Sequence, residues 1–199
     1  MNSVVIRPAK TSDRPALRLA IIELQEFERR LHGTRRPGEE VANAYLDWML
    51  RQAAEGGAVL VAETDGMVIG FVAGWIERTD NIAETADSNR VGYISDICVL
   101  PSHRGQGIAG QLLDNISKQL GAAGVTRIRI GSLADNRSAR ASYERAGFVP
   151  YEVVYEKVIS KIMVQNSSIF APHRNVRNPP RADQPHGYRT SDFIHSLRP

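Results

Sequence analysis

Between residues 93 and 148 the chain gathers side chains with chemical use: Asp96, the run Arg104-Gly105-Gln106-Gly107-Ile108-Ala109-Gly110, Asn136 and Tyr143. Apolar residues recur at Ile108, Leu112, Leu113, Ile116 and Leu120, a helical stripe that begins inside the glycine run. The loop therefore feeds directly into a helix N-terminus. The first backbone N–H groups of a helix lack intrahelical partners and together carry roughly half a positive charge. Glycines at 105, 107 and 110 remove the β-carbons that would keep a ligand away from those donors. The product is an anion cradle suited to phosphate or pyrophosphate, with Arg104 as a mobile charge at its mouth.

Residues 105–110 also satisfy G-x-G-x-x-G, the dinucleotide fingerprint. That fingerprint follows its strand almost directly, and an acidic residue closes the next strand about 20 residues on. Here Pro101-Ser102-His103-Arg104 intervenes after Leu100, and Arg127-Ile128-Arg129-Ile130 ends in Gly131-Ser132. The context disfavours a dinucleotide.

Arg104, Gly107 and Ala109 meet instead the pattern R-x-x-G-x-A. Downstream, Asn136-Arg137-Ser138-Ala139-Arg140-Ala141-Ser142-Tyr143-Glu144-Arg145-Ala146-Gly147-Phe148 forms an Asn-led helix with a Tyr and a closing Gly-Phe. On these two runs the sequence resembles the GNAT superfamily of N-acetyltransferases, strongly over residues 91–156 and by element order over 1–159. The resemblance implies an α/β (α+β) fold whose mixed, mostly antiparallel central sheet has about six to seven strands and about four flanking helices, with a splay between strands four and five. It also implies acetyl-CoA as co-substrate, no metal, and direct transfer of the acetyl group to an amine in a ternary complex. The amine would be a small molecule, a protein N-terminus or a lysine. A non-catalytic acyl-CoA-binding regulatory module is the alternative.

The resemblance also implies roles. Arg104, Gly105, Gln106, Gly107, Ile108, Ala109 and Gly110 would hold the pyrophosphate. The backbone of Ile97, Cys98 and Val99 would pair with the pantetheine arm in the splay, an N–H there pointing at the thioester oxygen where charge develops. Asn136 and Tyr143 are seven residues apart, on one side of a helix and roughly 10.5 Å apart along its axis. One would grip the mid-pantetheine amide; Tyr143 would protonate the departing thiolate. Asp96 is a candidate base, although alternation sends it off the face opposite Ile97 until a bulge changes the phase. The family's other base position is Ser95 in this chain, and Glu77 acting through a water stays open.

Cys98 reads as a buried small hydrophobe, since no neighbouring base is apparent. His32, Arg35 and Arg36 favour an anionic acceptor, whereas Glu77, Asp80, Glu84 and Asp87 favour a cationic one, so the acceptor stays unnamed. Histidines 173, 186 and 195 lack metal-ligand spacing.

At 199 residues the chain holds one full core with an appendage, expected as a domain over 1–159 and a tail over 160–199. The tail carries six Lys/Arg against two acids, a net of +4 that leaves −1 for residues 1–159 out of the total of +3. The basic character thus belongs to the tail and does not make the domain a nucleic-acid binder. Half of the ten prolines also lie in the tail, which reads as disordered or as docking on a partner through Ile169-Phe170 and Phe193-Ile194. A single cysteine fits a reducing cytoplasm, and no apolar run is long enough to span a membrane. A homodimer stays open.

These residues need a scaffold, and periodicity supplies one. A first strand at 4–6 precedes a helix capped near Thr11, Ser12 and Asp13, with Leu17, Ile21, Leu24, Phe27 and Leu31 at helical spacing. A second helix covers about 39–54, bearing Val41, Tyr45, Trp48 and Met49. Strands at 58–63 and 67–76 flank Thr64-Asp65-Gly66, a hairpin signal. After a polar loop at 79–90, strand four runs from about 91 to 100, a helix reaches about 120, and strand five spans 125–130. The helix at about 136–146 stops at Gly147, and a final strand is expected at about 151–159.

Overall fold

Unbroken apolar runs in the central strands, such as Val59-Leu60-Val61-Ala62, put apolar side chains on both faces and require a sheet covered on both. In the computed structural model, which describes residues 3–159, that sheet has five strands: β1 (Val5–Pro8), β2 (Gly57–Thr64), β3 (Met67–Arg78), β4 (Arg90–Val99) and β5 (Ile128–Ile130). They lie in the order β1-β2-β3-β4-β5; the first four are mutually antiparallel and β5 runs parallel to β4. Four α-helices accompany them: α1 (Arg14–Leu31), α2 (Gly38–Ala54), α3 (Ile108–Ala122) and α4 (Arg137–Arg145). All belong to one unit, Met1–Val149.

Alternation sorts the core into two layers. Val59, Val61, Phe71, Ala73, Trp75 and Cys98 pack with Leu17, Ile21, Leu46 and Met49 of α1 and α2. Leu60, Ala62, Ile69, Val72 and Ile94 pack with Ile108, Leu112, Leu113, Ile116 and Leu120 of α3. The stripe on α3 is the one its apolar spacing predicts, whereas α2 buries Ala42, Leu46, Met49 and Ala53 and leaves Val41, Tyr45 and Trp48 only half-buried. Asp65, at φ 51, and Gly66, at φ 75, make the two-residue turn between β2 and β3.

Asp13 does not cap α1 as a simple N-cap. It closes a 3-10 turn, Thr11–Asp13, accepts the Lys10 N–H at 2.7 Å and pairs with Arg7 at 2.6 Å. Arg7 also pairs with Glu63, so one guanidinium joins β1, the turn and β2. These contacts hold the Asp13 carboxyl below the usual carboxylate range, against the opposing effect of burial.

The sheet is narrower than the six to seven strands expected, because no strand forms at 151–159. Residues Tyr151–Ile159 are exposed and form no ladder. Their apolar members do not alternate: Val153-Val154-Tyr155 is continuous and Glu156-Lys157 follows. A strand needs one buried face and a paired edge, and apolar content alone supplies neither. Strand five is likewise shorter than expected, three residues beginning at Ile128. The 160–199 segment, with its proposed anchors and histidines, lies outside the described residues. Among the described residues no helix is long and apolar enough to cross a membrane.

Candidate functional site

The site is organised by one surplus residue. β3 and β4 pair Trp75 with Tyr93 and Gly74 with Ile94, but Ala73 is opposite Asp96, so Ser95 is left over as a bulge. The bulge advances the phase of β4 by one. Asp96 therefore emerges on the α1/α2 face with Tyr93, Trp75 and Cys98, whereas Ile94 and Ile97 keep to the α3 face. In a regular strand Asp96 would share the face of Ile94.

On that face the Tyr45 hydroxyl of α2 is shared between the two carboxylate oxygens of Asp96, at 2.9 Å to each. Burial pushes the Asp96 carboxyl up to about 6, while hydrogen bonds from Ser95 and Tyr45 oppose the rise. The nearby Glu28 charge adds to it and Arg35 opposes it. Glu28 and Arg35 are themselves paired at 2.7 Å. Tyr93 is pushed up to about 12, first by burial and then by Glu77 and Asp96. The result is a carboxylate that holds a proton more readily than a solvated one and still releases it near neutrality.

Pairing between β4 and β5 covers three positions and ends at Ile94 opposite Ile130, although β4 continues to Val99. The Leu100 N–H donates to Ile69 at 2.9 Å on the β3 side. Alternation from that bond turns the N–H and C=O of Cys98 toward β3 and those of Ile97 and Val99 toward the other edge. The Val99 carbonyl there accepts from Arg104 Nε at 2.9 Å.

The 105–110 loop has the backbone that a cradle needs. Gly105, at φ 76, and Gly107, at φ 78, are left-handed, and Gly107 is the N-cap of α3. No side chain caps this helix, and among the described residues no acceptor meets the amides of residues 105–110. A β-carbon at Gly105, Gly107 or Gly110 would enter open space. Ile108 is buried in the core, so it can offer only its amide, while the Gln106 and Ala109 amides flank it. Arg104 differs from the mobile charge expected: its guanidinium donates to Val99 and to Glu23, the latter at 3.1 Å, and lies 5.6 Å from the Phe27 ring centroid. It clasps the loop to α1.

Asn136 is the N-cap of α4; its side-chain carbonyl accepts from the Ala139 N–H at 3.1 Å and the Ser138 hydroxyl at 3.2 Å. The other end of α4 closes on Gly147, at φ 88: Gly147 N–H bonds Glu144 and Phe148 N–H bonds Tyr143, each at 3.0 Å. This pattern is a Schellman cap, which brings the residue after the glycine onto the last turn. Phe148 accordingly packs on Tyr143, with ring centroids 6.2 Å apart. Burial, and then the charges of Glu28 and Asp96, push the Tyr143 phenol above its ordinary value. Tyr143 belongs to the α3-side core, yet it senses carboxylates of the opposite layer.

Cys98 is buried, and burial pushes its thiol up to about 12, so a thiolate nucleophile is disfavoured. Among the described residues no cluster of three His, Cys, Asp or Glu side chains could hold a metal. The contributions of Tyr45, Glu28 and Tyr93 escaped sequence reasoning. Tyr45 carried a helical-stripe signal, but nothing local to the sequence brings α2 over Asp96.

Residues 20–148 match the model of the acetyltransferase (GNAT) family. The chain is 28% identical over 143 residues to the uncharacterized N-acetyltransferase YhfO of Bacillus subtilis, covering 72% of this chain and 88% of that protein. An uncharacterized N-acetyltransferase of Archaeoglobus fulgidus is 37% identical over 70 residues, which is 35% of this chain and 44% of the relative. Among solved structures, the BH1408 protein of Bacillus halodurans superposes with a TM-score of 0.68 at 22% identity, over 78% of this chain and 99% of that one. The aminoglycoside N-acetyltransferase AAC(6')-Iy, solved in complex with CoA, gives 0.61 at 21% identity over 80% and 96% of the two chains.

Proposed function

Because the chain belongs to the GNAT acetyltransferase family and is an acetyl-CoA-dependent acyltransferase, we propose that it transfers the acetyl group directly to an amine held over Asp96. The observation that carries this reading is that β4 runs on past its pairing with β5 and carries Asp96 on that stretch, with Tyr143 on α4, the helix that follows β5. Burial, and after it the charges of Glu28 and Asp96, keep the Tyr143 phenol protonated as a proton donor. We read the end of pairing at Ile94 as the mouth of the slot between strands four and five. The pantetheine arm would bond there to the backbone of Ile97 and Val99, beside Cys98. The open amides of residues 105–110 suit the pyrophosphate, with Arg104 holding the loop in place. Asn136 spends its carbonyl oxygen on its helix and keeps Nδ2 for a pantetheine carbonyl.

In this scheme an ammonium acceptor gives one proton to Asp96, and the freed lone pair attacks the thioester carbon. A C–N bond forms and the C–S bond breaks, while a β4 amide meets the charge on the carbonyl oxygen. The thiolate takes the Tyr143 proton, and the second proton lost by nitrogen restores the phenol. The sum is one amide, one thiol and one proton released through Asp96. Glu77 relaying through a water is the competing base. Family membership does not favour a non-catalytic acyl-CoA module. The cytoplasmic setting expected from the lone cysteine is kept as part of the proposal.

Calorimetry with acetyl-CoA, followed by Tyr143→Phe, tests this. We expect binding, and turnover that falls about 10²-fold or more in the variant while acetyl-CoA affinity holds. No binding at millimolar acetyl-CoA ends the proposal.

A further inference from the structure

A row of aromatic rings borders Asp96 and has no part in the transfer step. Tyr45 and Trp48 of α2 stand with ring centroids 5.2 Å apart. Trp48 meets Trp75 of β3 edge-on, at 5.3 Å and 90°, and Trp75 meets Tyr93 of β4 at 6.3 Å. The row thus crosses from α2 over two strands and returns to the carboxylate: Tyr45 bonds Asp96, and Tyr93 shares its face. Trp75 is buried behind the row, whereas Tyr45, Trp48 and Tyr93 keep partial access to solvent.

The α3 layer has one ring pair, Tyr143 and Phe148, at its partly buried edge. Its buried residues are Leu, Ile, Val and Ala. Four rings in one row beside Asp96 therefore call for an explanation other than filling space.

Charge narrows the occupant. Glu28 is matched by Arg35, but among the described residues Asp96 has only the neutral hydroxyl donors of Tyr45 and Ser95. Glu77 adds its charge from the β3 side. One ammonium at Asp96 completes the site, and aromatic faces favour both a cation and a flat apolar stem. A second ammonium drawn against these rings would have to compete with Arg35 for Glu28 or reach Glu77 on β3, and is desolvated in doing so.

Building on the acyl-transfer reading, we propose that the acceptor is a primary amine with a single positive charge on an aromatic stem, seated against Tyr45, Trp48 and Tyr93 with its nitrogen at Asp96. The full chain with acetyl-CoA is assayed on 2-phenylethylamine, spermidine and kanamycin. Phenylethylamine is expected to exceed both polycations by about tenfold or more in kcat/KM. Trp48→Leu keeps apolar volume while removing the ring, so KM for phenylethylamine should rise about tenfold with KM for acetyl-CoA unmoved. The chain has two tryptophans, and both lie in the row. Titrating phenylethylamine into the CoA-saturated protein should therefore change the intrinsic emission. Equal or greater kcat/KM with spermidine or kanamycin, an unmoved phenylethylamine KM in the variant, or unchanged emission overturns the acceptor class. If acetyl-CoA itself fails to bind, the acyl-transfer reading falls with it; if acetyl-CoA binds and a polycation is preferred, only the acceptor class falls.

Discussion

The two faces of the central sheet are built from the same strands and serve different ends. Under α3 the sheet presents Leu60, Val72 and Ile94 to Leu112, Leu113 and Ile116, a layer of aliphatic side chains close to fully buried. Under α1 and α2 it presents Trp75, Tyr93 and, after the bulge, Asp96. The first layer gains stability from every side chain it buries. The second accepts a desolvated carboxylate, which costs stability whenever it is ionised. The contrast teaches that both faces bury an apolar core but, because Ser95 shifts the phase of β4, only the α1/α2 face also takes in the proposed base, while the proposed acid Tyr143 stands at the edge of the other.

Asp96→Asn breaks this division most sharply. The proposed base is lost, and kcat is expected to fall about 10²- to 10⁴-fold. The wild-type rate should carry an acidic limb near pH 6, where Asp96 gains its proton, and the variant should lack that limb. The sign for stability is opposite. With its pKa raised above the ordinary 3.8, the folded state holds the Asp96 proton more tightly than the unfolded chain does. The cost is full above about pH 6 and vanishes below about pH 4. The variant should therefore gain on the order of 2 kcal/mol at pH 8 and nothing at pH 3, as read by denaturant titration at both pH values.

Ile116→Ala probes the aliphatic face, where the side chain is fully buried. It should cost about 2–4 kcal/mol in chemical denaturation, while kcat per folded molecule stays within about twofold. A large loss of kcat with little loss of stability would dissolve the contrast.

Asp13→Asn acts on neither face. It weakens the Arg7 link between β1, the 3-10 turn and β2, and is expected to cost about 1–3 kcal/mol at pH 7. Because the folded Asp13 pKa lies below its unfolded value, this stability is present above about pH 4 and is lost as the pH falls through the folded value. Wild type and variant should converge in acid-unfolding curves.

Gly147→Ala is the mildest change. Open space surrounds the site, so the penalty comes from φ 88 alone, about 1 kcal/mol. Its sharper readout is turnover: loosening the cap that seats Phe148 on Tyr143 should lower kcat severalfold, with acetyl-CoA affinity retained. Unchanged kcat would remove the cap from the positioning of Tyr143.

What was legible in the sequence was what neighbours along the chain control. The stripe of α3, the Asp65-Gly66 turn, the glycines before α3 and the Asn136-to-Tyr143 spacing all follow from local backbone geometry, with a period of 3.6 or a positive φ. The segment 151–159 escaped the same logic, since apolar composition creates no partner edge.

Tertiary structure alone decided which face Asp96 occupies, that Tyr45 of α2 reaches it, that four rings from three elements form one row, and that Arg104 is held by Glu23 and Phe27. Each depends on pairing between residues far apart in the chain. A single bulge inverts the outcome of every alternation that follows it, and its position is fixed by the register against β3.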